Sequence, residues 1–151
     1  MVTGATISPK TFSTPYAQKR NRTVEVRRET LTGYSAFCDK DAASMVFHMI
    51  LDNAIKYSDK DSKIIVTGNY TTQYFGIRIT SSGTAIEEDE RENIFLKYFR
   101  GREARDQKIE GSGIGLYLAS EIMRLNDGAV VLLDVSPSVT FEVRLPSLNR
   151  N

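Results

Sequence analysis

Apolar and polar residues alternate in some stretches of this chain and recur at helical spacing in others. Val24 and Val26 stand among charged residues in 23–30, which predicts a half-exposed strand, and 33–37 reads as a second. Residues 63–69 and 73–80 read as two strands joined by a polar turn at 70–72, with Phe75, Ile77 and Ile79 alternating on the later one. Residues 129–135 and 139–145 close the chain as two more strands, where Phe141, Val143 and Leu145 alternate. Helical spacing appears between them. Ala42, Met45, Val46, Met49 and Ile50 define the expected buried stripe of a helix that Asp39 or Asp41 would cap. Continued, that stripe lands on Asn53 and then Tyr57. An unpaired buried amide costs about 1–3 kcal/mol, so an asparagine there needs a reason.

A short helix is expected over 9–20. Residues 87–99 read as an amphipathic helix with acids at its favoured end and Ile94, Phe95, Tyr98 and Phe99 near its close. Residues 100–113 read as a polar loop, and 114–125 as an apolar helix. The order is mixed rather than strictly alternating. It predicts an α+β fold, a two-layer sandwich of a mixed β-sheet with about three helices on one face. Residues 1–15, rich in Ser, Thr, Pro and Gly, read as a flexible lead. Residues 16–147 form one domain and 148–151 a tail.

Composition narrows the classes of function. With 151 residues, 40% of them hydrophobic and 26% charged, the chain has material for one globular core. A formal net charge of +1 gives no basis for wholesale binding to nucleic acid or insertion into a membrane. No stretch approaches the roughly 20 apolar residues of a membrane helix. Cys38 is the only cysteine, so no internal disulfide can form, and a reducing, cytoplasmic setting is expected. The full-length protein could still be membrane-anchored.

Three segments carry chemistry. Gly111-Ser112-Gly113-Ile114-Gly115-Leu116 runs straight into a helix. Glycines let a backbone approach phosphate closely, and the helix start offers free amides and a favourable dipole. It does not follow a strand, so it is a poor dinucleotide fingerprint. Asn53, Lys56 and Tyr57 are spaced to share one helical face. An amide oxygen can ligate Mg²⁺, a lysine can neutralise phosphate, and a tyrosine can flank a base. Taken by themselves, the three residues favour the plainer reading, a helix end with a solvated lysine and a core tyrosine. Third, the aromatic run Phe95 to Phe99 is followed by Arg100, whose fork suits a phosphoryl group.

In this order and with these gaps the three segments resemble the nucleotide-binding boxes of the GHKL ATPases. That family includes gyrase-type ATPases, heat-shock chaperones, mismatch-repair ATPases and histidine kinases. The Phe-rich box and the closing Phe141-Glu142-Val143-Arg144-Leu145-Pro146 are most similar to the catalytic domains of two-component sensor histidine kinases. The resemblance implies a Bergerat-type sandwich that binds Mg·ATP and donates the γ-phosphoryl group to a histidine. That histidine would lie on separate dimerisation and phosphotransfer helices, with a response regulator downstream. It implies that Asn53 ligates Mg²⁺, Lys56 contacts phosphate and Tyr57 lies against adenine. Arg100 would approach the γ-phosphate. Gly111, Gly113 and Gly115 would frame the phosphates, with Ser112, Ile114 and Leu116 in the same box. Ser81, Gly83, Ile86 and Phe99 would complete the nucleotide site. Residues 101–110 would form the lid, and Phe95 and Phe99 would help it dock on the helical segment.

The chain departs from the pattern at three points. Ser81 stands where the family usually has an aspartate that accepts from the adenine amino group, and Ala85 replaces a glycine. Losing a charged hydrogen bond costs about 1.5–3 kcal/mol, or roughly 10- to 150-fold in affinity. Met49 stands where another asparagine is frequent, one helical turn before Asn53. His48, the only histidine, lies inside the expected core helix and is not expected to be the phospho-acceptor. These departures keep an alternative open: a pseudokinase module with weak or no nucleotide binding that signals by docking.

Overall fold

The computed structural model describes residues 4–5, 17, 20–33, 35–108 and 111–148. Five strands form one sheet: β2 (Thr23–Val26), β4 (Lys63–Tyr70), β5 (Tyr74–Ser82), β7 (Ser138–Pro146) and β6 (Ala129–Asp134), in that spatial order. β2 runs parallel to β4, and the other neighbours are antiparallel. The expected mixed sheet is therefore present. Within the lead expected to be flexible, β1 (Gly4–Ala5) pairs with β3 (Ala36–Phe37). The helix expected over 9–20 falls largely outside the described residues.

Two helices cover one face of the sheet: α1 (Lys40–Tyr57) and α3 (Gly115–Leu125). Asp39 caps α1 by accepting from the Ala42 amide at 2.8 Å. The alternating rows of the strands pack beneath them. Phe75, Ile77 and Ile79 of β5 lie opposite Leu145, Val143 and Phe141 of β7, and all six are buried. The α1 stripe is rotated from the expected one. Ala43, Val46, Phe47, Ile50, Leu51, Ala54 and Ile55 are buried, whereas Met45 is 52% exposed and Met49 only partly covered. The helix carries two working faces. One seals the core, and the other, through Met49 and Asn53, borders a cavity.

Two further expectations are corrected. Residues 87–99 are not a helix but two short 3₁₀ turns, Glu88–Glu90 and Asn93–Phe95. Leu96 is extended and Tyr98 adopts φ 66°, which ends any helical run. The segment is held by contacts that periodicity does not see. Arg91 donates to the carbonyls of Leu132 and Leu133, and Phe95 sets its ring edge-on to Phe141 at 6.2 Å. Conversely, the expected loop at 100–113 contains a short helix, α2 (Arg102–Asp106).

The opposite face of the sheet carries a charged cluster. Glu142 has no exposed surface and accepts from Arg78 Nε at 2.7 Å and Arg144 Nε at 2.6 Å. Gly76 makes the space, since a Cβ there would come within 2.8 Å of the Glu142 carboxyl carbon. Burial pushes this carboxyl's pKa up, but the two guanidinium bonds more than offset it and hold it below the ordinary glutamate value.

Candidate nucleotide site

The cavity, of about 420 Å³, opens between α1, the end of β5, the segment before α2, and the glycine loop before α3. That size suits a small-molecule ligand. Of the residues singled out in the sequence, Asn53, Lys56, Tyr57, Ser81, Ile86, Phe99, Arg100, Ser112, Gly113, Ile114, Gly115 and Leu116 line it. Gly83 and Gly111 do not line it. Gly83 has φ 152°, and a Cβ there would meet the Tyr57 carbonyl oxygen at 2.4 Å, so it closes the turn after β5 against the end of α1. A Cβ on Gly111 would fall 2.2 Å from Lys56 Nζ, so the bare backbone lets the ammonium lie against the loop.

The floor is apolar and comes from the sheet. The buried row of β5 ends at Ser81, which faces the cavity beside Val139 on β7. Ile94 and Ala104 are also buried there. The rim is cationic. Lys56 and Arg100 both line it, and Lys56 Nζ sits 5.4 Å from the Tyr57 ring centroid. Arg100 Nε and Nη2 are buried and have no hydrogen-bond partner among the described residues. Such donors cost free energy unless something satisfies them. No side chain caps the start of α3, so its first amides remain available. Asp52, exposed at the rim, is the only carboxylate on the wall among the described residues. Burial pushes its pKa above the ordinary aspartate value, and His48 partly counters that.

Sequence reasoning missed what holds α2 in place. Glu90 is buried and accepts from the Arg102 amide at 3.1 Å and from its guanidinium at 3.1 Å, while Asp89 takes another Arg102 nitrogen at 2.6 Å. The far end is pinned by Thr84 Oγ1 donating to Gln107 Oε1 at 2.9 Å. Nothing local marks Glu90, which sits among three other acids in 87–90. Phe95 and Phe99 turn inward, and Leu96 and Tyr98 are the exposed apolar residues of that segment. His48 is exposed, and its Nδ1 lies 2.7 Å from the Ser44 carbonyl oxygen.

The cavity thus combines an apolar floor, a cationic rim and a glycine loop opening a helix. A family model described as histidine kinase-, DNA gyrase B- and HSP90-like ATPase matches residues 38–149, and the chain belongs to that family. The chain is 32% identical over 99 residues to the signal transduction histidine-protein kinase ArlS of Staphylococcus aureus (strain USA300). The match covers 65% of this chain and 22% of that kinase, so the chain spans about a fifth of such relatives. Among solved structures, the mycobacterial sensor histidine kinase MprB aligns with a TM-score of 0.71 at 24% identity, covering 87% of each chain. A nucleotide-free catalytic domain of histidine kinase ThkA aligns with a TM-score of 0.73 at 20% identity, covering 97% of this chain and 95% of that one. These likenesses establish the fold. Among the described residues, no helix is long and apolar enough to cross a membrane.

Proposed function

We propose that this chain is the ATP-binding catalytic domain of a sensor histidine kinase. It binds Mg·ATP and presents the γ-phosphoryl group to a histidine on a separate helical segment of the same or a partner kinase. The histidine nitrogen attacks the γ-phosphorus, the bond to the bridging oxygen breaks, and ADP leaves. A response regulator is the onward acceptor. The observation that carries this reading is Arg100 on the cavity wall, whose Nε and Nη2 are buried and make no hydrogen bond among the described residues. A terminal phosphoryl group would satisfy them.

The other residues fit the same ligand. Lys56 and the open amides of α3 neutralise phosphate charge, while Tyr57 and the floor take the base. Among the described residues on the wall, Asn53 alone presents a side-chain amide; it would hold Mg²⁺, which would supply positive charge to offset that of the phosphates. Met49 cannot add a second ligand. Catalysis then consists of positioning and charge neutralisation. Docking on the acceptor helices falls to the exposed Leu96 and Tyr98. A module that only docks has no observation in its favour.

Calorimetric titration of the chain with ATP and ADP, with and without Mg²⁺, tests the site. Binding in the micromolar to submillimolar range is expected, and none at millimolar nucleotide would overturn the reading. Arg100→Met is expected to weaken ATP by roughly 10- to 150-fold, the worth of one charged hydrogen bond, and ADP much less. The melting temperature of the nucleotide-free variant should not fall, because the lost donors had no partner. Equal losses for ATP and ADP would move Arg100 away from the terminal phosphate.

A further inference from the structure

We propose that this site does not distinguish a 6-amino from a 6-oxo purine, so that inosine-type as well as adenosine triphosphates are its ligands. Ser81 is the residue that sets this specificity. The inference rests on the reading of the cavity as a nucleoside triphosphate site.

Charge and burial fix the ligand's orientation. Lys56, Arg100, Ser112 and Gly115 stand at the half-exposed and exposed rim, so the polyanion belongs there. The base must then occupy the floor formed by Val139, Ile86, Ile94 and the end of β5. Few polar side chains reach that floor. Thr84 has committed its hydroxyl proton to Gln107. Asp52 lies on the exposed rim. Ser81 remains, 8% exposed, on the cavity wall, with its hydroxyl making no hydrogen bond among the described residues.

A hydroxyl can both donate and accept. It accepts from the amino group of a 6-aminopurine, and by rotating its proton it donates to the oxygen of a 6-oxopurine. A carboxylate at the same point could only accept, and would set its charge against the purine oxygen. The neighbouring ring nitrogen also changes from acceptor to donor between the two bases, and a bridging water serves either. Tyr57, the other hydroxyl beside the base, can likewise donate or accept, so among the described residues no side chain on the floor rejects one base.

The test is calorimetric titration with Mg·ATP and Mg·ITP, ITP being chosen because it alters the 6-position without adding an amino group elsewhere. The unaltered chain should bind the two within about tenfold, less than the worth of one charged hydrogen bond. Ser81→Asp should tighten ATP by roughly 10- to 150-fold and weaken ITP. Because an added carboxylate on an apolar floor could disturb folding, Ser81→Ala serves as the second variant. It should weaken both nucleotides alike, by roughly 2- to 10-fold. If the unaltered chain binds ATP but rejects ITP by 100-fold or more (on the order of two charged hydrogen bonds), base tolerance is wrong while the ATP site stands. If Ser81→Ala leaves both affinities unchanged, the base lies elsewhere and the role of Ser81 falls. If neither nucleotide binds the unaltered chain, the reading of the cavity itself fails.

Discussion

Asn53→Ala is expected to abolish Mg²⁺-dependent ATP binding. Asn53 sits half-buried where α1 borders the cavity, and its amide makes no hydrogen bond among the described residues. One turn earlier the helix offers Met49, which cannot replace it. Among the described residues there is no cluster of three or more histidine, cysteine, aspartate or glutamate side chains that could hold the ion instead. Groups that only support a metal ligand already cost about 10- to 100-fold when removed, so loss of the ligand itself should exceed roughly 100-fold. The melting temperature of the free domain should barely move, because no internal bond is broken. Titration with and without Mg²⁺ checks both halves. Retained Mg²⁺-dependent binding would refute Asn53 as the ligand, and a loss confined to Asp52→Ala would hand the role to its neighbour.

The second large effect falls on stability. Glu142→Ala strands two guanidiniums that converge on one fully buried carboxylate. Breaking a buried pair costs about 3–5 kcal/mol. Arg78 and Arg144 are 41% and 32% exposed and can rehydrate, so about 2–3 kcal/mol is expected. At this chain length that lowers the melting temperature by roughly 5–10 °C. The penalty should depend on pH. The carboxyl's pKa is depressed in the folded state, so its contribution is complete above the unfolded value of about 4.5 and fades as pH falls through the lower folded value. Urea melts of both proteins should therefore converge in acid. A gap that stays constant at all pH values would show that Glu142 acts by packing alone. ATP affinity at neutral pH should be unchanged, since the cluster lies across the sheet from the cavity.

The alternating strands were legible because a period of two reports which side of a sheet each residue faces, as Phe75, Ile77 and Ile79 show. α1 was legible in extent but not in orientation. It has two apolar faces, and periodicity cannot say which one meets the sheet and which meets a ligand. The stretch 87–99 misled because its spacing is helical while its contacts are distant. Arg91 reaches β6 across 41 positions, and Tyr98 takes a left-handed backbone. Glu142 and Arg78 are 64 residues apart, beyond any local pattern. At the candidate site, spacing put Asn53, Lys56 and Tyr57 on one helical face and the glycine loop ahead of a helix, and these residues line one cavity, but spacing alone left their roles open and only the resemblance suggested them. Neither Glu90 nor Gln107 could be found that way, because each matters only through the partner the fold brings to it.

The two acids that grip Arg102 differ in their exposure to salt. Asp89 is exposed, so its bond to Arg102 is a surface ion pair that dissolved salt weakens. Glu90 is buried and keeps its own. Ionic strength should therefore loosen the anchoring of α2 only until the outer bond is spent, and beyond that point the inner bond should leave it insensitive to further salt.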